Sequence, residues 1–168
     1  MAKTDSFFIR ASVTTNGTTY AQSSIDLGAY VDALGMSVLR VHNISVRYPD
    51  IDDTPTGPGP VFGRGNYQLT TQSQSQRVPL SDKSLIASGA QVAGFDGSLA
   101  LTTFTDTQDI GPQHWTNGYL VGVEQIYLGF IASTANVYPA NKDMEIVLEC
   151  TVEKLSSSAA MALALSQQ

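Results

Sequence analysis

The chain has 168 residues, a formal net charge of −6, and 14% charged residues against 42% apolar ones. That length suits one domain able to bury a core without disulfides or metals. A charge content so far below the roughly one quarter of an average soluble domain leaves a surface weakly protected against association. The nine Lys and Arg residues are scattered singly from Lys3 to Lys154. This argues against the basic stripe or arm that displaces counterions from nucleic-acid phosphates. No apolar run approaches the roughly 20 residues that span a bilayer. The first eight residues show no apolar core of a signal peptide, so synthesis in a reducing cytoplasm is expected. Cys150 is the single cysteine. Among apolar neighbours it reads as a small buried hydrophobe.

Apolar and polar residues alternate from Phe7 to Thr14, which predicts a strand. Asn16-Gly17 follows as a hairpin turn signal, with a return strand running through Tyr20 toward Ile25. Residues 25–34 predict a strand end and one helical turn. A long strand then runs from Met36 to Tyr48. Its apolar parity changes at His42 and Asn43, which a bulge or burial on both sides would reconcile. Pro49 ends it. Residues 50–65, with Pro55, Pro58, Pro60 and four glycines, predict a long loop of the kind that is functional or pinned by a partner. The polar stretch 66–77 predicts a strand or extended segment with a register poorly set by a core. Residues 84–95 and 99–104 follow as apolar and short strands. Residues 106–118 predict a second loop holding His114 and Trp115. Residues 119–132 are apolar on both faces and predict a central strand. In the last strand Met144, Ile146, Leu148, Cys150 and Val152 face inward, and Glu145, Glu149 and Glu153 outward.

Seven or eight such strands with two long connections predict an all-β antiparallel sandwich of jelly-roll or Greek-key type. The domain is expected to span residues 1–155, with 156–168 a short helical or extended arm. Ser158 is a plausible N-cap for that arm. Its Met161, Leu163 and Leu165 favour docking, either on the chain's own domain or on a neighbour.

Residues that do chemistry are sparse. His42 has no local acid or ligand set and reads as a structural histidine. His114 beside Trp115 is compatible with an interface anchor, a sugar platform or plain loop packing. Asp50, Asp52 and Asp53 resemble a fragment of a calcium loop. They lack its turn glycine and terminal Glu, so a solvated loop is preferred. Gly63-Arg64-Gly65-Asn66 lacks the following helix that a phosphate cradle needs and reads as loop. Serines show no nucleophile elbow. Paired carboxylates for glycoside hydrolysis would be matched in space only, and Glu145, Glu149 and Glu153 read as a wet strand face. No catalytic residue, metal or cofactor is expected.

The all-β body, low-charge surface, long Gly/Pro loop and apolar C-terminal arm together resemble the single jelly-roll capsid proteins of icosahedral viruses. The resemblance is one of architecture and composition over residues 6–155. It implies a virion protein made in the host cytoplasm that assembles with copies of itself, and with other virion proteins, through lateral contacts. Those contacts would fall on Pro55, Pro58, Pro60 and Phe62, on His114 and Trp115, and on Met161, Leu163 and Leu165. The chain departs from RNA-packaging members in lacking a basic N-terminal arm. The pattern is thus closer to shells around double-stranded DNA, with no direct genome contact. Two other classes share the composition. One is a lectin-like module stacking sugars on Trp115, Tyr119 or Tyr67; the other is a phage tail or baseplate component.

Overall fold

The computed structural model describes residues 5–32, 34, 36–52, 59–98 and 100–168, with Thr103 described by its backbone alone. Among these residues nine strands carry the fold: β1 (Phe7–Thr14), β2 (Ala21–Asp26), β3 (Ser37–Arg47), β4 (Val61–Thr70), β5 (Leu85–Phe95), β6 (Leu101–Ile110), β7 (Tyr119–Val121), β8 (Gln125–Ala132) and β9 (Asp143–Lys154). A 3-10 turn at Pro112–His114 and one helix, α1 (Ser157–Ser166), complete it. The strands form two antiparallel sheets, a four-stranded one in the order β1-β9-β3-β7 and a five-stranded one in the order β2-β8-β4-β5-β6. With β6 set aside, the remaining eight strands run 1-8-3-6 in one sheet and 2-7-4-5 in the other. That is the strand order of a jelly roll, here with one strand added at the edge of the second sheet. No helix among the described residues is long and apolar enough to cross a membrane.

Strand β9 alternates as expected from Met144 to Cys150, but beyond it Thr151 and Glu153, expected outward, are buried. Met144, Ile146, Leu148 and Cys150 are buried and pair across to Val13, Ala11, Ile9 and Phe7 of β1. On its other side β9 pairs with β3, and the register slips by one residue between Val41 and Asn43. His42 is therefore the extra residue of a bulge, which lets Leu39 and Val41 on one side of it and Ile44 on the other all reach the core. Burial also pushes the Cys150 thiol up to about 12, so it is no nucleophile at neutral pH.

Several expected boundaries are corrected. Gly63-Arg64-Gly65-Asn66 is not loop but the middle of β4, and the first long connection ends at Val61. The glycines face inward because the β8–β9 connection plugs the core there. A Cβ on Gly63 would stand 2.5 Å from Val137 Cβ, and one on Gly65 would stand 2.7 Å from Phe130 Cζ. Asn16-Gly17 is a true turn, with Thr19 N–H donating to Asn16 O at 3.0 Å and Gly17 at φ +57°. It does not form a hairpin, however, since β1 and β2 lie in different sheets. Residues 106–110, expected in a loop, extend β6 to Ile110. This part of an edge strand is largely exposed on both faces, so it has no alternation to announce it. Residues 119–132 split into β7 and β8 around Gly122.

The stretch 66–77 divides. Residues 66–70 belong to β4, with Tyr67 and Leu69 in the core. The chain beyond folds back over the outer face of the larger sheet, held by glutamine amides. Gln68 Nε2 donates to Tyr20 Oη (2.8 Å) and Gln76 O (3.0 Å), while its Oε1 accepts from Val78 N–H (2.9 Å). Gln22 Oε1 accepts from Gln74 N–H at 2.8 Å. Tyr20 itself lies over Gly129. Gln68 is consequently buried although it faces away from the core.

Two outcomes follow. Gly63→Ala is expected to lower stability by about 1–3 kcal/mol, because the new methyl meets a Cβ that cannot swing away; chemical denaturation reads this directly. Cys150 is expected to stay inert to a thiol reagent in the native protein at pH 8 and to react stoichiometrically in denaturant.

Candidate interaction surfaces

The C-terminal helix is seated on its own domain. Ser156 caps it, its hydroxyl accepting from Ala159 N–H at 3.3 Å. The N-cap is thus Ser156, two residues before the expected Ser158. At the far end Gln167 is buried and supplies the anchor. Its Oε1 accepts from Gly122 N–H (2.8 Å), its Nε2 donates to Leu120 O (2.7 Å), and its backbone carbonyl accepts from Thr71 Oγ1 (2.9 Å). Lys83 Nζ donates to Gln168 O at 2.8 Å. Leu163 is half-buried against Gly122, where a Cβ would stand 3.0 Å from its Cγ, while Met161 and Leu165 remain exposed. An apolar tail pattern does not reveal that a glutamine holds it. The partners of Gln167 lie about fifty and a hundred residues away in sequence.

Between this helix, β7 and the 3-10 turn lies a groove of about 590 Å³. Ile110, Trp115, Tyr119, Leu120 and Leu163 supply its apolar wall, and Arg40 and Lys83 its charges. Trp115 is half exposed. Arg40 is fixed by a two-pronged ion pair with Glu153, at 2.7 Å from Nε to Oε1 and 2.8 Å from Nη2 to Oε2, and it also donates to Asn117 O. The Glu153 side chain is 1% exposed and that of Arg40 14%. The carboxylate partner raises the Arg40 pKa further. This corrects the reading of Glu153 as part of a wet face. Glu145 fits that reading, since it is exposed and bridges Arg47 at 3.3 Å. The two members of the buried pair lie 113 residues apart, so no local pattern couples them.

The other candidates fall into place individually. His42 shares a 2.9 Å hydrogen bond with Thr151 Oγ1. His114 closes the 3-10 turn, its N–H donating to Gly111 O. It is exposed beside Trp115 but does not line the groove. Asp50 stands 3.6 Å from Arg47, and Asp52 N–H donates to Val137 O. Among the described residues no three His, Cys, Asp or Glu side chains gather as a metal would require. Pro55, Pro58 and Asp53 lie outside the described residues. Pro60 is exposed, and so is Phe62 at 64%, on the outer face of β4 opposite Gly94. Phe62 and Trp115 therefore sit on separate elements, whereas Trp115 and Leu163 line one groove. Tyr67 is buried in the core and edge-on to Tyr48, which removes it as a sugar platform. The structure also exposes Leu34, Leu80, Leu101 and Phe104, which the sequence pattern does not single out.

No family model matches the chain, and neither does any curated protein. Among solved structures, it is similar to the unassembled VP1 pentamer of a Washington University polyomavirus mutant. That likeness has 9% identity and a TM-score of 0.42, covering 89% of this chain and 95% of that one. It is also similar to human polyomavirus 12 VP1 in complex with 3'-sialyllactosamine, at 8% identity and a TM-score of 0.43, covering 90% and 100%. The unassembled VP1 pentamer of KI polyomavirus gives 7% and 0.43 over 90% and 95%. At these values the likeness is one of outline, and the jelly-roll assignment stands on this chain's own strand order.

Two substitutions separate the anchors described above. Gln167→Ala, which leaves Gly122 N–H and Leu120 O without their partner, is expected to cost about 1–3 kcal/mol in a denaturation series. Arg40→Met, which strands the Glu153 charge, is expected to cost about 3–5 kcal/mol, while the double variant Arg40→Met/Glu153→Leu recovers most of that loss.

Proposed function

We propose that this chain is a structural protein of a virion, a jelly-roll shell subunit that works by associating with copies of itself rather than by catalysis. The observation that carries the reading is where its apolar side chains are left. Leu34 in the β2–β3 connection, Phe62 on β4, Leu101 and Phe104 on β6, Trp115 before β7 and Leu165 on α1 are all exposed. Scattered single exposures are ordinary. Here they lie on several different elements of a domain whose surface holds few charges to oppose contact. A subunit with neighbours on more than one side needs that distribution. A ligand-binding module needs one concave site instead.

The sheet edges support the same reading. Among the described residues strand β6 pairs with β5 alone, which leaves the outer edge of a ten-residue strand without a partner strand there. It carries neither Lys nor Pro, two of the usual guards against edge pairing. In this reading residues 1–155 form the shell body and 156–168 an arm seated on it, with Phe62, Trp115, Met161 and Leu165 among the contact residues. Other virion proteins would meet the genome, because the scattered basic residues offer no phosphate-binding stripe. The chain would be made in the host cytoplasm and end in the virion.

The test is light scattering of the purified protein with negative-stain imaging of the same fractions. Closed particles or discrete symmetric rings are expected. A monomer at every concentration, salt and pH overturns the proposal. Sugar binding on a glycan array that is lost in Trp115→Ala would then move the groove to the lectin reading.

A further inference from the structure

The tripeptide Thr-Asn-Gly occurs twice, as Thr15-Asn16-Gly17 and as Thr116-Asn117-Gly118. Asn-Gly pairs have a chemistry of their own. Glycine has no Cβ to hinder attack of its backbone nitrogen on the side-chain amide of the asparagine before it. The fold treats the two copies differently. At the second, Gly118 N–H donates to Trp115 O at 3.0 Å, and Asn117 O accepts from Arg40, which Glu153 holds in place. Gly118 is also wedged against β3, where a Cβ would run into Val41 O. Its nitrogen therefore cannot reach a side chain without giving up a hydrogen bond. At the first copy, Asn16 O accepts from Thr19 N–H at 3.0 Å. Among the described residues, however, neither Gly17 N–H nor the Asn16 side-chain amide has a hydrogen-bond partner. Asn16 is exposed, and Gly17 packs on Ala135 without a bond to it.

We infer that Asn16 is a site of spontaneous deamidation, and that the fold protects Asn117 from the same reaction. Gly17 N, having lost its proton to solvent, attacks Asn16 Cγ. The new N–Cγ bond closes a succinimide ring, and the side-chain nitrogen takes up protons and leaves as ammonia. Water then opens the ring at either carbonyl. One opening gives aspartate; the other gives isoaspartate, in which the chain runs through the former side chain and is longer by one carbon. Either product adds a negative charge. The change lands where the chain passes from one sheet to the other. Thr15 ties that point to the β8–β9 connection that fills the core, through Thr15 N–H to Lys142 O at 2.7 Å and Thr15 Oγ1 to Pro139 O at 2.8 Å. The inference is independent of the assembly reading, since it concerns bonds within one chain.

The repeated tripeptide supplies its own control. The full chain is held at mildly alkaline pH, folded or in denaturant, and the conversion at each asparagine is followed by peptide mass spectrometry. In the folded protein Asn16 is expected to convert first, with Asn117 about tenfold slower, the order of effect of one retained hydrogen bond. In denaturant the two sites are expected to convert at similar rates. Labelling by an isoaspartate methyltransferase is expected to map to the Asn16 peptide. Asn16→Gln is expected to remove the acidic species that isoelectric focusing resolves in aged wild-type protein. Equal rates at the two sites in the folded chain, or faster conversion at Asn117, would overturn the inference. So would an Asn16 that converts in denaturant and stays intact in the folded protein.

Discussion

Everything distinctive about this molecule follows from laying a five-stranded sheet on a four-stranded one. The apolar faces of the two sheets close on each other along β9, β3, β8 and β4, where Met144, Ile146, Leu148, Tyr67, Leu69 and Phe130 are all buried. The two sheets do not match at the β7 edge. β7 is three residues long, whereas β6 on the larger sheet runs for ten. The inner face of β6 therefore extends past its cover, and Phe104 is left exposed although it pairs in line with buried Ala93. The open edge of β3 is closed in part by a side chain. Gln113 accepts from Ile44 N–H and donates to Ile44 O, standing where a backbone peptide of a longer β7 would stand.

The irregular parts of the chain repair the rest of that geometry. The β8–β9 connection inserts Val137 and Tyr138 between the sheets, which is possible only because β4 carries glycines opposite them. Tyr138 Oη then donates to Gln91 O at 3.0 Å, so its polar end is satisfied in the interior. The helix, with Gln167 in the role of a bolt, covers the region where β7 gives way to β8. Polar side chains thus do much of the holding in a protein poor in charge, and they do it by bonding to backbone groups that the sheets leave without partners.

A surface built this way has consequences for association. Few charges stand against contact, the outer edge of β6 has no partner strand among the described residues, and apolar side chains remain on several elements. Buried area supplies the favourable term at roughly 25 cal/mol per Å², reduced by the ordering of mobile groups.

Legible in the chain were the class of fold, the polarity of β1 and of β9 as far as Cys150, a break in parity at His42 and the burial of Cys150. Each is a local alternation or a break in one, and period-two patterning survives wherever one face is dry and the other wet. It was misleading where that contrast fails. β6 is wet on both sides, and its second half, residues 106–110, read as loop. The centre of β4 looked like a glycine loop because its bulk is provided by Val137 and Tyr138. The turn at Asn16-Gly17 was legible, but not that it leads from one sheet to the other. Only tertiary structure decided that Glu153 is buried against Arg40, that the arm rests on its own domain through Gln167, and that Trp115 borders a groove while Tyr67 lies in the core. Each of these joins residues far apart in the chain, and such a pairing is set by how two twisted sheets stack, which no short window of sequence contains.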